Sequence, residues 1–350
     1  MLNENTDFFK YVDNFAKTAH VTSFPVFKGE TANTSKVTIF IPTYKRSVLL
    51  KEAIDSALNQ IEYDKYDIIV VDNNPERDDE TEKLMLSYND PRLSYYKNEE
   101  NLGMFGNWNR GFELTNSEWV AMLHDDDLLV SNFLSESMSI IDNIKEEVGC
   151  LACLKKKIYY NTTNQDISLY RKIRKMYFLL SGKIRRIYSF DNYAGFVLGA
   201  PTGTIFNRRK VIKQGGFNPD YFPTSDFCFM VYFNFNNSCY LNYSELLLYR
   251  VQDNESLKLD TQQQFIINDY YLLSKLMRLY SIPLSLFNAL FYYCCLRRER
   301  IIIKKWVSGF SLNIPFSVIK MRKYTFFQII LSYLYFKITK YFLRTRSVDI

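Results

Sequence analysis

Four short apolar runs, each followed by a segment of helical period, occupy residues 37–145 and leave this stretch few folds to adopt. Residues 37–41 (VTIFI) read as a buried strand ended by Pro42, and Ser47 is placed to cap a helix whose apolar positions Leu50, Ala53, Ile54, Ala57 and Leu58 recur at helical spacing. Residues 67–71 (DIIVV) form a second strand, closed by the turn-forming run DNNPERDD. A helix over 80–88, a strand over 93–97, a helix over 104–114, a strand over 119–123 (WVAML) and a helix over 131–145 complete the series. Strands alternating with helices at this spacing predict a mostly parallel, Rossmann-like sheet covered on both faces. In open sheets of this kind ligands bind beyond the carboxyl ends of the strands. The polar clusters Thr43-Tyr44-Lys45-Arg46, Asp72-Asn73-Asn74 and Asp125-Asp126-Asp127 each follow a strand, so they are expected to meet at one edge.

The acidic triplet is the strongest chemical signal. Three adjacent carboxylates repel one another and are costly to hold together without a cation. A hard divalent ion, Mg²⁺ or Mn²⁺, takes oxygen ligands and bridges protein carboxylates to substrate phosphates. A solvated acidic loop is the plainer reading; the position directly after a strand favours a metal–phosphate site. His124 is expected to pack beside the triplet rather than bind the ion, and Trp108 and Trp119 to lie in the core.

The rest of the chain is less regular. Residues 1–35 read as a loosely structured lead-in with one short helix over 7–17. Residues 36–258 are expected to form the main domain, with halves at 36–147 and 148–258, and 259–350 a helical extension. The turn Gly215-Gly216-Phe217 and a helix over 225–235 stand out in the second half. Six cysteines lack disulfide-framework spacing, and the polar N-terminus has no signal-peptide core, so reduced thiols and a cytoplasmic location are expected. Cys150 and Cys153 form a CxxC in an apolar segment and read as buried strand thiols, not as a zinc or redox site.

Charge is distributed unevenly. Residues 297–350 hold 12 Lys/Arg against 2 Asp/Glu, whereas the preceding residues hold 32 against 36. A basic, aromatic tail on a slightly acidic body suggests contact with anionic lipid. No nucleic-acid-binding signature accompanies the basic residues, so nucleic acid is not expected as a partner. Residues 279–296 are uncharged and reach the lower limit of a membrane span, but Pro283, Asn288 and several Ser and Tyr dilute them. Helices resting on the cytoplasmic leaflet are expected, with a purely structural helical cap as the alternative.

Four segments in order, VTIFIPTYKR, YDIIVVDNNP, NEENLGMFGNWNRGF and WVAMLHDDDLL, resemble the donor-binding half of family 2 glycosyltransferases, which have the A-type glycosyltransferase fold. A weaker resemblance continues through PTGTIFNRRKVIKQGGFNPDYFPTSDFCFM and LLLYRVQDNES. The resemblance implies an inverting enzyme that takes a nucleoside-diphosphate sugar as donor. It places Pro42, Thr43 and Tyr44 in the nucleotide pocket, with Arg46 and Asn107 on the same donor side. Asp72 would accept a hydrogen bond from the base, while Asn101 and Gly103 would close over base and ribose. Asp125–Asp127 match the DxD-type motif, with Asp127 the main metal ligand, Asp125 beside it, and Asp125 and Asp126 reaching the ribose or sugar. Asp226 aligns with the general base; a helix cap or first-turn acid is its alternative. Two departures stand out: Ser225-Asp226 replaces the acidic pair of many relatives, and Gln252 stands where many carry a histidine. Arg250 would then face the pyrophosphate, unless it is a structural ion-pair partner.

By analogy with surface-polysaccharide enzymes of this size, the acceptor is expected to be a lipid-linked saccharide. A sugar-phosphate nucleotidyltransferase is a competing reading, weakened because PTYKR stands where a Gly-rich basic loop is expected. An inactive nucleotide-sugar-binding homologue is another.

Overall fold

The computed structural model describes residues 2–31, 34–159, 184–251, 258–305 and 324–346. Strands β1 (Ser23–Phe27), β2 (Val37–Thr43), β3 (Tyr66–Asp72), β4 (Leu93–Asn98), β5 (Trp119–Met122), β6 (Leu128–Leu129), β7 (Val148–Tyr159), β8 (Ile184–Ile187), β9 (Thr204–Asn207) and β10 (Ser238–Val251) join one sheet. Its order is β1-β4-β3-β2-β5-β9-β7-β10-β6, with β8 also on β10. The segment β4-β3-β2-β5 is parallel. Antiparallel β9 links β5 to β7, which runs parallel to β10. Every residue of β2, β3 and β4 is buried. That is why β2 and β3 read as near-continuous apolar runs rather than alternating ones.

Helices α1 (Ser47–Leu58), α2 (Glu80–Leu86), α3 (Gly103–Leu114), α4 (Phe133–Asn143), α5 (Arg208–Gln214) and α6 (Ser225–Asn236) accompany the sheet. Successive residues of β2 divide between two cores, as strand geometry requires. Ile39 and Ile41 pack with Leu50 and Ile54 of α1 and Met138 of α4. Phe40 turns the other way, to Phe112 of α3, Phe206, Phe217 and Phe229. A third core joins α7 (Leu259–Leu279), α8 (Leu284–Lys305) and α9 (Phe326–Arg346) to Phe8, Phe190, Tyr193, Phe227 and Val231.

Several local expectations are corrected. Strand β2 runs on through Pro42 to Thr43 and pairs with Val71 and Asp72. Proline is tolerated because pairing with β5 has already ended at Phe40. Ser47 is the first helical residue, not the cap. The helix expected over 7–17 does not form; a short 3-10 turn at Ala16–Thr18 is followed by β1, antiparallel to β4 at the sheet edge. Phe8 and Phe15 are buried, and the Asn14 backbone N–H donates to the Gly215 carbonyl at 2.9 Å. Gly215 caps α5 at φ 88, and a Cβ there would lie 2.0 Å from the Val12 carbonyl oxygen, so only glycine fits. Cys150 and Cys153 are buried free thiols, and both tryptophans are in the core. Among the described residues no helix is long and apolar enough to cross a membrane. Gln252 and most of the basic insertion over 155–188 lie outside the described residues.

Candidate active site

The carboxyl ends of β2, β3 and β5 open onto one edge, and the loop from β5 to β6 carries the three acids across it. The Leu123 N–H donates to the Phe40 carbonyl at 2.9 Å, which holds the loop to β2. The His124 N–H donates to Thr202 Oγ1 at 3.2 Å, and the Asp127 N–H turns back to the His124 carbonyl at 3.1 Å. Thr43 Oγ1 donates to Asp125 Oδ2 at 2.8 Å, while Arg46 Nη1 reaches Asp125 at 3.4 Å and Asp126 at 3.0 Å. The Arg250 backbone N–H donates to Asp127 Oδ1 at 2.9 Å. The sequence clusters at the ends of β2 and β5 therefore meet directly. The cluster after β3 adjoins them, because the Asn73 N–H donates to the Thr43 carbonyl at 2.9 Å.

All three acids are buried. Burial pushes Asp125 up to about 6, with Arg46 opposing and Asp126 adding to the shift. Burial, then the neighbouring Asp126 charge, pushes Asp127 up to about 7. His124 is lowered to about 4, first by burial, so its imidazole is neutral and can serve as a ligand. Such shifts measure how poorly the site tolerates uncompensated negative charge.

A divalent cation fits these residues. Ligand atoms of His124, Asp126 and Asp127 all lie within 4.8 Å of one another. Asp127 Oδ2 and His124 Nε2 are buried without a hydrogen-bond partner, and a cation would satisfy both. Asp125, expected beside Asp127, turns its carboxylate to Thr43 and Arg46, and it is Asp126 that lies near Asp127. His124, expected to pack beside the triplet, lies over the Trp108 ring at 5.0 Å.

The remaining candidates separate into rim and interior. Tyr44 is exposed at the end of β2, and Pro42 lies buried just behind it. Asn101 and Gly103 are exposed at the start of α3; Asn101 Oδ1 accepts from Asn73 Nδ2 at 2.7 Å, which ties this loop to the end of β3. Three candidates are interior instead. Asp72 is fully buried, and its oxygens are taken by the Asn74 N–H, the Tyr95 hydroxyl at 2.8 Å and the Lys97 ammonium at 2.9 Å. These bonds brace the end of β3. Asn107 bonds Asn98 and the Val71 carbonyl, locking α3 to the sheet. Arg250 is fully buried, and its guanidinium donates to Glu52 of α1 at 2.5 Å. That ion pair matches the structural alternative named for it from the sequence.

Asp226 is half-buried in the first turn of α6, so it is a first-turn acid and not the cap, which is Thr224. Its Oδ1 accepts from the Phe227 N–H at 2.7 Å, and burial pushes its carboxyl up to about 6. Lys155, a residue that sequence reasoning missed, interacts with both Asp226 and the acidic loop. Its ammonium donates to the Ala200 carbonyl and acts electrostatically on both Asp127 and Asp226. No signal in the run Lys155-Lys156-Lys157 separates the inward lysine from its two exposed neighbours, since alternation would put Lys155 and Lys157 on one face. A wide bowl of about 490 Å³ lies at the opposite end of the sheet. Its charges are mutually paired, Lys36 with Asp142 at 2.8 Å and Arg209 with Glu147 at 2.8 Å.

Comparison with known proteins bears on this geometry. The family model "Glycosyl transferase family 2" matches residues 38–213. The chain is 38% identical over 104 residues to a GalNAc(5)-diNAcBac-PP-undecaprenol beta-1,3-glucosyltransferase of Campylobacter jejuni, covering 29% of this chain and 33% of that protein. It is 32% identical over 148 residues to an uncharacterized glycosyltransferase of Rickettsia prowazekii, covering 38% and 45%. These matches span a third and a little under half of the relatives' lengths. Among solved structures, S. aureus TarS 1-349 in complex with UDP-GlcNAc is similar at TM-score 0.56 and 14% identity, over 85% of this chain and 79% of that one. Mannosyltransferase PcManGT from Pyrobaculum calidifontis, in complex with GDP-Man and Mn²⁺, is similar at TM-score 0.52 and 15% identity, over 83% and 80%.

Proposed function

The chain belongs to glycosyltransferase family 2 and has the A-type glycosyltransferase fold, and from that premise we propose that it transfers a sugar, with inversion, from a nucleoside-diphosphate sugar to a saccharide acceptor. The acceptor in this reading is lipid-linked and presented at the cytoplasmic leaflet, in cell-surface polysaccharide synthesis. One observation carries the proposal: at a single sheet edge, the acidic cluster pinned by Thr43 and Arg46 brings ligand atoms of His124, Asp126 and Asp127 within 4.8 Å of one another. A separate carboxylate, Asp226, interacts electrostatically with Lys155, as Asp127 does.

The two groups of acids suit two halves of one displacement. An acceptor hydroxyl attacks the anomeric carbon from the face opposite the diphosphate, and the bond from that carbon to the diphosphate oxygen breaks. The hydroxyl proton passes to Asp226, which a carboxylate near its own pKa can accept. Held by Asp126, Asp127 and His124, Mg²⁺ or Mn²⁺ would stabilise negative charge on the diphosphate. An imidazole nitrogen among the ligands favours Mn²⁺ over Mg²⁺. Arg46 keeps Asp125 and Asp126 in place, and the exposed Tyr44, Asn101 and Gly103 form the rim against which a nucleoside can lie. TarS and PcManGT were solved with UDP-GlcNAc and with GDP-Man, so uridine and guanosine donors head the screen for this chain.

The test is release of nucleoside diphosphate by purified protein with Mn²⁺ and a panel of such donors, with and without saccharide acceptors. Asp127→Ala is expected to cut turnover by roughly 10²- to 10³-fold, the scale of losing one electrostatic stabiliser of the transition state. Asp226→Asn should bind donor normally and lose transfer. Wild-type transfer by that variant would remove Asp226 as base, and silence of the wild type toward every donor would remove the transferase reading.

A further inference from the structure

We infer that the outward face of α9 is a docking surface for an anionic lipid bilayer. The helix has two apolar faces. Its inward face carries Phe336, stacked on Tyr193 with ring centroids 5.0 Å apart, and buried Ser332; Lys340 pairs there with Asp191 at 2.5 Å. Its outward face carries Phe327, Ile330, Leu331, Leu334 and Ile338, at spacings of three, four, seven and eleven from the first. That spacing sets them on one stripe of a helix. All five are exposed, Phe327 at 67%, Leu334 at 50% and Ile338 at 58%. A contiguous apolar stripe of this kind marks an interaction surface, whereas isolated exposed apolar residues do not.

Charge identifies the occupant. Helix α9 contains no Asp or Glu, exposed Lys337 flanks the stripe, and residues 297–350 together hold 12 Lys/Arg against 2 Asp/Glu. A second copy seated on the stripe would bring like charges together with no carboxylate on either α9 to pair them. An anionic membrane meets both halves of the pattern: the apolar stripe enters the acyl boundary while Lys and Arg engage the headgroups. Because no described helix can span a bilayer, the contact is one of lying on the surface.

The placement gives the contact a use. Tyr193 and Phe190, on which Phe336 rests, lead directly into the segment whose Ala200 holds Lys155 and whose Thr202 holds His124. Phe196 of the same segment lies 4.8 Å from Phe227, the neighbour of Asp226. The helix is therefore seated one packing layer behind the proposed base, where a lipid-held acceptor would need to arrive. This purpose rests on the function proposed above; the docking itself is tested without it.

The experiment is co-sedimentation of the full chain with phosphatidylcholine vesicles with and without phosphatidylglycerol. Wild type should partition onto the phosphatidylglycerol vesicles, at least about 10-fold more than onto phosphatidylcholine alone, and less so at high salt. The exposed double variant Leu334→Ser, Ile338→Ser should lose at least about 10-fold of that partition, with an unchanged thermal midpoint and unchanged nucleotide release in solution. Failure of the wild type to bind overturns the inference. So does equal binding by the double variant, or a wild-type dimer that the variant converts to monomer. Vesicle binding without nucleotide release from any donor would leave the docking standing and remove the transferase reading alone.

Discussion

Lys155 interacts electrostatically with both Asp127 and Asp226; burial lowers its pKa to about 8 while Cys153 and these two carboxylates pull it back up. The coupling runs both ways. Burial raises Asp226 to about 6, and Lys155 is among the groups opposing that rise. A base must be ionised to accept a proton, so transfer should fall as pH drops through about 6. Removing the cation leaves burial less opposed, and Lys155→Met should therefore shift the acid limb of the kcat/KM profile to higher pH. Lys155→Arg should restore the limb. A limb that stays in place in the Met variant would show that Lys155 does not act on the base. Thr43, Arg46 and the acids could be read in the sequence because each lies within a few residues of a strand end. Lys155 could not, because its partner, the Ala200 carbonyl, comes from 45 residues further along the chain.

Helix α3 shows how closely one element constrains another. It crosses β2 at Gly111, where a Cβ would fall 2.2 Å from the Phe40 ring. Asn109 completes the seat by accepting from the Phe217 N–H at 2.7 Å and donating to its carbonyl at 2.8 Å. Gly111→Ala must push α3 off the sheet or displace Phe40, and overpacking of this kind should cost at least about 2 kcal/mol. A denaturant melt would register it as a lower midpoint. An unchanged midpoint would mean that α3 is not seated as described. Strands β2–β5 and α1–α4 were legible to within a few residues because apolar period is a local property. Strands β1, β6, β8, β9 and the long β10 were not read, and β7 only at Cys150 and Cys153; the short ones exist only through their partners, as Leu128–Leu129 is a strand because Leu247 and Leu248 lie beside it.

At the scale of the molecule, a parallel sheet carrying the acidic site joins a helical layer with its own core. The junction is aromatic, with Phe336 stacked on Phe190 and Tyr193 and Phe8 packed on Tyr221. Phe336→Ala removes a fully buried ring and should cost about 3–5 kcal/mol. Hydrogen exchange should then speed first in α9, with α3 still protected, because the cavity opens at the junction. Uniform speeding would indicate one cooperative unit without a separable layer. The lead-in also belongs to this scale: its polar composition suggests loose chain, yet Phe8, Phe15 and β1 are packed.

Read alone, the amino-acid order determined the alternation of strands and helices, the edge at which polar clusters gather, and the acids placed there. All of these follow from hydrophobic period and from chemistry carried by neighbours in the chain. Only the tertiary structure decided which polar groups face a ligand and which face one another. Asp72 turned to Lys97, Asn107 to the Val71 carbonyl, and Arg250 to Glu52. The physical reason is that a buried charge or amide goes where a partner compensates its lost hydration, and those partners arrive from strands and helices far away in the chain.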